Sequence, residues 1–221
     1  MATTQGTSGR TDGDGTRAPS FVVQIHDAST LHFDFRLEAD GVLKSFAVPK
    51  GPSDNPRDKR FATPTEDHPL EYRTFEGTIA AGGYGAGTVI VWDEGTYRST
   101  TTDRHGAEVP LADALDRGHA SFRLNGRKLQ GGYALTRIRT AAEEGREAWL
   151  LVKEAGDRAG SAAPPDPRRA RSTRTGRTLG QVAGEENAGE ENAGKEEAAA
   201  ENAAAEEVGQ REGGQTEGGQ R

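Results

Sequence analysis

The sequence predicts a mostly β domain, an antiparallel sheet or barrel, between two low-complexity ends. Three observations carry this. Leu31, Phe33, Phe35 and Leu37 alternate with His32, Asp34, Arg36 and Glu38, the period of two of a strand with one buried face. Short apolar runs then recur between turn signals, with one helical pattern among them. Outside residues 19–154 apolar residues nearly vanish, so the 32% hydrophobic content is concentrated in one core-sized span.

Residues 1–18, rich in Thr, Gly and Asp, read as a disordered arm. Phe21–Ile25 is the first strand and delivers His26 at its end; a turn through Asp27–Thr30 folds His26 back towards His32. After the alternating strand, Asp40-Gly41 marks a tight hairpin and Val42–Val48 the return. Pro49–Lys59 is a loop. Arg60–Thr63 reads as a strand that Pro64 makes short or confines to an edge. Glu66–Tyr72 is a loop or one helical turn with Pro69 in it. Phe75–Ile79 and Thr88–Trp92 are strands, and Asp93-Glu94-Gly95 turns the chain into a further strand, Thr96–Thr101. Pro110–Arg117 is an amphipathic helix ended by Gly118. Ala120–Leu124, Tyr133–Arg139 and Ala148–Val152 close the domain. Residues 155–221 read as a disordered tail, basic over 168–177 with five Arg, then acidic over 184–207 with nine Glu and one Lys.

Charge and composition exclude several classes. Residues 19–154 hold 17 basic and 20 acidic groups, so this is no generally basic domain; nucleic acid has to be met by a local patch. The absence of cysteine excludes disulfides and thiolate metal sites. No apolar run approaches the ~20 residues of a membrane helix. The expectation is a cytoplasmic, nucleoid-associated monomer with no membrane partner.

The polar face of the alternating strand is the candidate site. His26, His32 and Asp34 are a common ligand set for Mn²⁺, Zn²⁺ or Fe²⁺ with open positions. Each alone reads as an ordinary exposed residue, but three of the five His fall within 43 residues, each beside or one step from an acid. Arg36 suits a phosphate or carboxylate, or a cross-strand ion pair near Glu38. Lys50 and Arg60 add cations. His68 and Tyr72, four apart, share a face if their segment is helical and reach one phosphoryl group; turn chemistry and a half-buried aromatic are the plainer reading. Gly82–Gly87 precedes a strand, so it is a tight turn with close backbone packing and not a dinucleotide loop.

Taken together, Gln24-Ile-His26-Asp27-Ala-Ser, Leu31-His32-Phe-Asp34-Phe-Arg36-Leu-Glu38, Asp40 to Pro52, Glu66-Asp67-His68-Pro-Leu-Glu-Tyr72, Phe75-Glu-Gly and Tyr84 to Gly95 resemble the 3′-phosphoesterase domain of bacterial DNA ligase D, over residues 19–154. The resemblance implies a small β-barrel with short flanking helices. It implies a Mn²⁺-dependent nuclease, other divalent transition metals being possible, that removes a 3′-terminal ribonucleoside and then the 3′-phosphate at DNA breaks, in end joining. The positions matching the family's metal ligands are His26, His32 and Asp34. Those matching its phosphate-binding residues are Arg36, His68 and Tyr72, with Lys50 and Arg60 in support. Ile25 stands where the family often has a basic residue. No polymerase or ligase module is attached, so a free-standing version is expected, acting on DNA or RNA–DNA 3′ ends with separate ligase, polymerase and end-binding partners. Rival readings are a non-catalytic module that binds DNA ends or a repair partner, and an iron-dependent oxygenase, which has no use for Arg36, Lys50 and Tyr72.

Overall fold

The computed structural model describes residues 17–80, 82, 85–138, 147–156 and 166–185. The arm up to residue 16, Tyr84 and nearly all of the acidic 184–207 stretch lie outside them. The strands are β1 Ser20–Asp27, β2 Leu31–Ala39, β3 Val42–Val48, β4 Lys59–Pro64, β5 His68–Pro69, β6 Gly77–Ile79, β7 Gly87–Ser99, β8 His119–Gly126, β9 Gln130–Ile138 and β10 Ala148–Lys153; helix α1 is Leu111–Asp116. Around the sheet the order is β1-β2-β3-β4-β10-β9-β8-β7, and β7 pairs back with β1. Eight antiparallel strands thus close a barrel, which leaves no open edge among them. β5 adds to β3 and β6 to β7. Among the described residues no helix is long and apolar enough to cross a membrane.

Alternation fills the barrel. Phe21, Val23 and Ile25 of β1 and Phe33, Phe35 and Leu37 of β2 point into one core with Phe46, Phe122 and Trp149. Phe35 lies 6.4 Å from Phe21 and 5.9 Å from Phe122, ring centre to ring centre. At the β2–β3 hairpin Asp40 (φ 51°) and Gly41 (φ 79°) are both left-handed, as a two-residue hairpin turn requires.

One expected turn is absent. β7 runs through Asp93-Glu94-Gly95 as a single strand of 13 residues. Asp93 is buried, and its carboxylate accepts the backbone N–H groups of Arg127, Lys128 and Leu129, so it holds the β8–β9 turn of a neighbouring hairpin instead of making its own. Gly95 is required for close approach: a Cβ there would stand 2.3 Å from the carbonyl oxygen of Asn125. Gly87 likewise abuts the carbonyl of Asp27, with φ at +138°, which fits the close packing expected of the glycine run.

A second correction concerns the basic part of the tail. The domain was expected to end at Glu154, yet residues 166–182 belong to the barrel's own compact unit. β7 pairs with β6 near its start and with β8 near its end. Between these, the N–H of Val91 donates to the Glu76 carboxylate (2.8 Å), and its carbonyl accepts the N–H of Thr173 (2.9 Å). Residues around Thr173 therefore take up the stretch of β7 that β6 and β8 leave unpaired. Ala170, Leu179 and Val182 join the core, and Arg168, Arg174 and Arg177 each meet an acid on the barrel: Asp27, Glu94 and Glu76. A basic run facing fixed carboxylates, with three apolar residues spaced through it, is a strap and not a solvated linker. Leu179→Ala is expected to lower the unfolding free energy by about 2–4 kcal/mol in urea denaturation, the cost of emptying a buried leucine site; a change within ~0.5 kcal/mol would mark the segment as surface.

Candidate active site

The polar residues of β1, β2 and β3 lie on the sheet face opposite the core. Antiparallel register sets His26 against His32 and Gln24 against Asp34; Arg36 then faces Ser45 on β3. The connection after β4 crosses this face. His68 in β5 pairs with Leu43, and a 3-10 helix, Leu70–Thr74, carries Tyr72 over the strands. The expected helical turn is thus a 3-10 one, begun at Leu70 after Pro69, with His68 in the short strand before it. His68 and Tyr72 nevertheless come together, with ring centres 5.0 Å apart. Because the segment covers them, Asp34 and Arg36 are only 4% and 3% exposed.

Asp34 is the hub. Its Oδ2 stands 3.6 Å from His26 Nδ1 and accepts from Arg36 at 3.0 Å, and its Oδ1 stands 3.6 Å from His32 Nε2. The imidazole distances are longer than hydrogen bonds. Two ligands each ~2.1 Å from one ion stand ~3–3.4 Å apart, so the spacing is close to that of a cation's ligand set. The ligand atoms of His26, His32 and Asp34 all lie within 4.8 Å of one another. Two further observations bear on whether a divalent ion fits. His26 Nε2 is buried with no hydrogen-bond partner, an orphan that sequence neighbours do not explain. His32 Nδ1 is 2.7 Å from the carbonyl of Thr30; donating there leaves Nε2 with its lone pair towards the centre. Burial pushes the Asp34 carboxyl up, but the two imidazoles and the Arg36 guanidinium outweigh it and hold the group well below the usual carboxylate range. The nearby Asp34 carboxylate in turn raises His32. The residues present fit a divalent metal.

Arg36 is almost fully engaged. Its Nε donates to Gln24 Oε1 (2.9 Å), one terminal nitrogen to Ser45 Oγ (2.8 Å) and His68 Nδ1 (2.9 Å), and the other to Asp34. A guanidinium has five N–H groups, so a single one is left for an incoming anion. Its charge also lies 5.2 Å from the centre of the Tyr72 ring. His68 Nδ1 is 2.8 Å from the carbonyl of Glu66 as well. A bare Nδ1 accepts from Arg36, whereas a protonated one donates to Glu66, so the ring changes partner when it titrates. Burial and the Arg36 charge hold His68 below its usual range, hence neutral at pH 7. Burial keeps the Tyr72 phenol protonated, raising its pKa.

The structure thus assembles His26, His32, Asp34, Arg36, His68 and Tyr72. Lys50 and Arg60 stand apart. Lys50 is exposed in the turn after β3, and Arg60 donates to Asp58 at 2.7 Å. On β4 Arg60 is in register with Leu151, on the core side of the strand. Two residues of the cluster had no role assigned from sequence, Gln24 and Ser45. Gln24 is fully buried, accepts from Arg36 and donates to the carbonyls of Tyr72 (3.0 Å) and Phe75 (3.1 Å), so it ties the 3-10 segment to the strands. Its one sequence signal was its place two residues before His26, on the same strand face. Gly85, the described middle of the glycine run, stands against His26, its would-be Cβ 3.8 Å from the ring.

A small closed barrel carrying a His/Asp metal cluster against a buried arginine, histidine and tyrosine has the chemistry of a hydrolase of phosphate esters. Comparison with known proteins says which. The family described as DNA Ligase D 3'-phosphoesterase domain matches residues 24–137, and the chain belongs to that family. It is 51% identical over 140 residues to the multifunctional non-homologous end joining protein LigD of Pseudomonas aeruginosa, a match covering 63% of this chain and 16% of that protein. It is 50% identical over 125 residues to the multifunctional non-homologous end joining DNA repair protein LigD of Mycobacterium tuberculosis, covering 57% of this chain and 15% of the other. For the LigD of Mycolicibacterium smegmatis the figures are 46% over 116 residues, 52% and 15%. The chain therefore spans about one seventh of the length of these relatives.

Proposed function

We propose that this protein is a Mn²⁺-dependent 3′-end-healing phosphoesterase. On this reading it removes a 3′-terminal ribonucleoside and a 3′-phosphate from DNA or RNA–DNA ends, leaving the 3′-OH that end joining needs. The observation that carries the reading is Asp34 shared between two imidazoles and a buried arginine, beside a neutral histidine and a protonated tyrosine. Ligase, polymerase and end-binding proteins are the partners that would use the product.

In the proposed mechanism His26, His32 and Asp34 hold the ion, which when bound polarises the phosphoryl group and lowers the pKa of a water. The one remaining N–H of Arg36 and the phenol of Tyr72 donate to phosphoryl oxygens, most strongly as negative charge develops on them. His68 Nε2 carries the N–H when Nδ1 accepts from Arg36, so the neutral ring donates a hydrogen bond towards the phosphoryl group or the leaving oxygen. Gln24 and Ser45 keep Arg36 aimed. Lys50, exposed in the turn after β3, and Arg60, held by Asp58, support the reaction from outside this cluster.

The test is a primer–template duplex ending in 3′-phosphate, and a second ending in one ribonucleotide, incubated with the full chain with and without Mn²⁺. Release of phosphate and of the ribonucleoside only with the metal is expected. Binding of both duplexes without turnover at any metal concentration overturns the reading and leaves an end-binding module.

A further inference from the structure

We infer that Phe61 is a stacking platform for a nucleobase near the 3′ end, set beside the metal cluster on the same sheet face. The inference rests on the phosphoesterase reading and adds how that enzyme holds a base. Among the described residues Phe61 is the one large hydrophobic side chain left exposed, at 45%.

Register locates it. Asp34 lies opposite Ala47, and Ala47 opposite Thr63. β2 and β4 are both antiparallel to β3, so they run the same way. Phe61, two residues before Thr63, is therefore level with His32, two residues before Asp34. The face follows from β10, where Ala62 pairs with Trp149 and Arg60 with Leu151. Ala62, Trp149 and Leu151 are core residues, so Phe61 and Thr63 point the other way, to the side of the cluster. Two strand spacings of ~4.8 Å separate Phe61 from His32, about 10 Å along the sheet. β3 has ended at Val48 by this level, and what lies between is the exposed Pro49–Lys50 turn.

A single exposed aromatic is ordinary on a protein surface. This one is in line with a phosphate-handling centre, with exposed Lys59 two residues before it on the same strand face and exposed Lys50 in the turn between it and His32. Aromatic rings that stack bases, with cations that follow the backbone, are how single-stranded ends are held without regard to sequence, because every base has a π face. An end-healing enzyme has to accept any terminal base, and a flat apolar ring does this where a hydrogen-bonding side chain would select. The flanking cations favour a nucleic-acid strand over an apolar peptide as the occupant.

The experiment uses the full chain as wild type, Phe61→Ala and Phe61→Trp. The substrates are a 3′-phosphate duplex with Mn²⁺ and the same duplex made abasic at the terminal or the penultimate nucleotide. Phe61→Ala is expected to raise KM about tenfold with kcat within twofold, and Phe61→Trp to restore KM. One of the abasic duplexes should show wild type the same rise, with no further loss in Phe61→Ala. A duplex carrying 2-aminopurine at that position, titrated without metal, should be quenched by wild type and Phe61→Trp but not by Phe61→Ala. Equal KM on all substrates, with active enzyme, overturns the stacking and leaves the phosphoesterase reading intact. Quenching that depends on Phe61 in a protein inert towards every 3′ end supports the stacking and overturns the enzyme. A changed sedimentation coefficient in Phe61→Ala with unchanged KM overturns the inference in favour of a protein contact.

Discussion

Asp34→Asn is expected to abolish Mn²⁺ binding and to cut 3′-phosphate release about 10³-fold, with no recovery at higher metal. The carboxylate has two oxygens, each facing one imidazole at 3.6 Å, and no other acid stands among the three ligand atoms. An amide keeps the shape and loses the charge. A bound ion supplies several kcal/mol of transition-state stabilisation, and ~4 kcal/mol corresponds to about 10³ in rate. The substitution also strips Arg36 of its counter-charge in a site where both residues are at most 4% exposed. Leaving such a charge unpaired costs about 3 kcal/mol or more of stability. Calorimetric titration with Mn²⁺, run beside thermal unfolding, separates the two effects: a folded Asp34→Asn protein that binds Mn²⁺ as wild type does would refute the ligand assignment.

His68→Ala behaves differently. Turnover is expected to fall ~10²–10³-fold while Mn²⁺ affinity stays within a few-fold of wild type. His68 reaches Arg36 and the Glu66 carbonyl, and no ligand atom of the metal cluster is among its hydrogen-bond partners. Its removal takes away a hydrogen-bond donor to the charge that develops in the transition state, worth about 10²–10³-fold when correctly placed, but leaves the two imidazoles and Asp34 in register. Loss of metal affinity together with turnover would instead make His68 a ligand. The two substitutions thus divide the site into an ion-holding half on the β1–β2 hairpin and a proton- and anion-handling half hung over it by β5 and the 3-10 helix.

The clustering of His26, His32 and Asp34 was legible because the information is local. Alternation from Leu31 to Leu37 placed His32, Asp34 and Arg36 on one face, and the short Asp27–Thr30 connection brought His26 opposite His32. Gln24 and Ser45 were not legible as parts of the site. Each is a single polar residue on a neighbouring strand, and what makes them partners of Arg36 is inter-strand register. The Asp93-Glu94-Gly95 triplet misled for a related reason. Asp and Gly are turn residues by local preference, but here the carboxylate caps a turn 34 residues away and the glycine admits a neighbouring backbone. The strap was hidden by composition: Arg-rich, Pro-flanked sequence looks solvated until the facing acids Asp27, Glu76 and Glu94 are known.

By itself, then, the sequence determined the strand pattern, the single core, the polar face from His26 to Glu38 and the motifs that mark the family. These depend on side-chain alternation and turn chemistry within a few residues. Only the tertiary structure decided how far the domain extends, which groups orient Arg36, that Lys50 and Arg60 are not among them, and that Phe61 is level with His32. Each of those is a distance between residues remote in the chain, set when antiparallel register and barrel closure bring separate strands side by side.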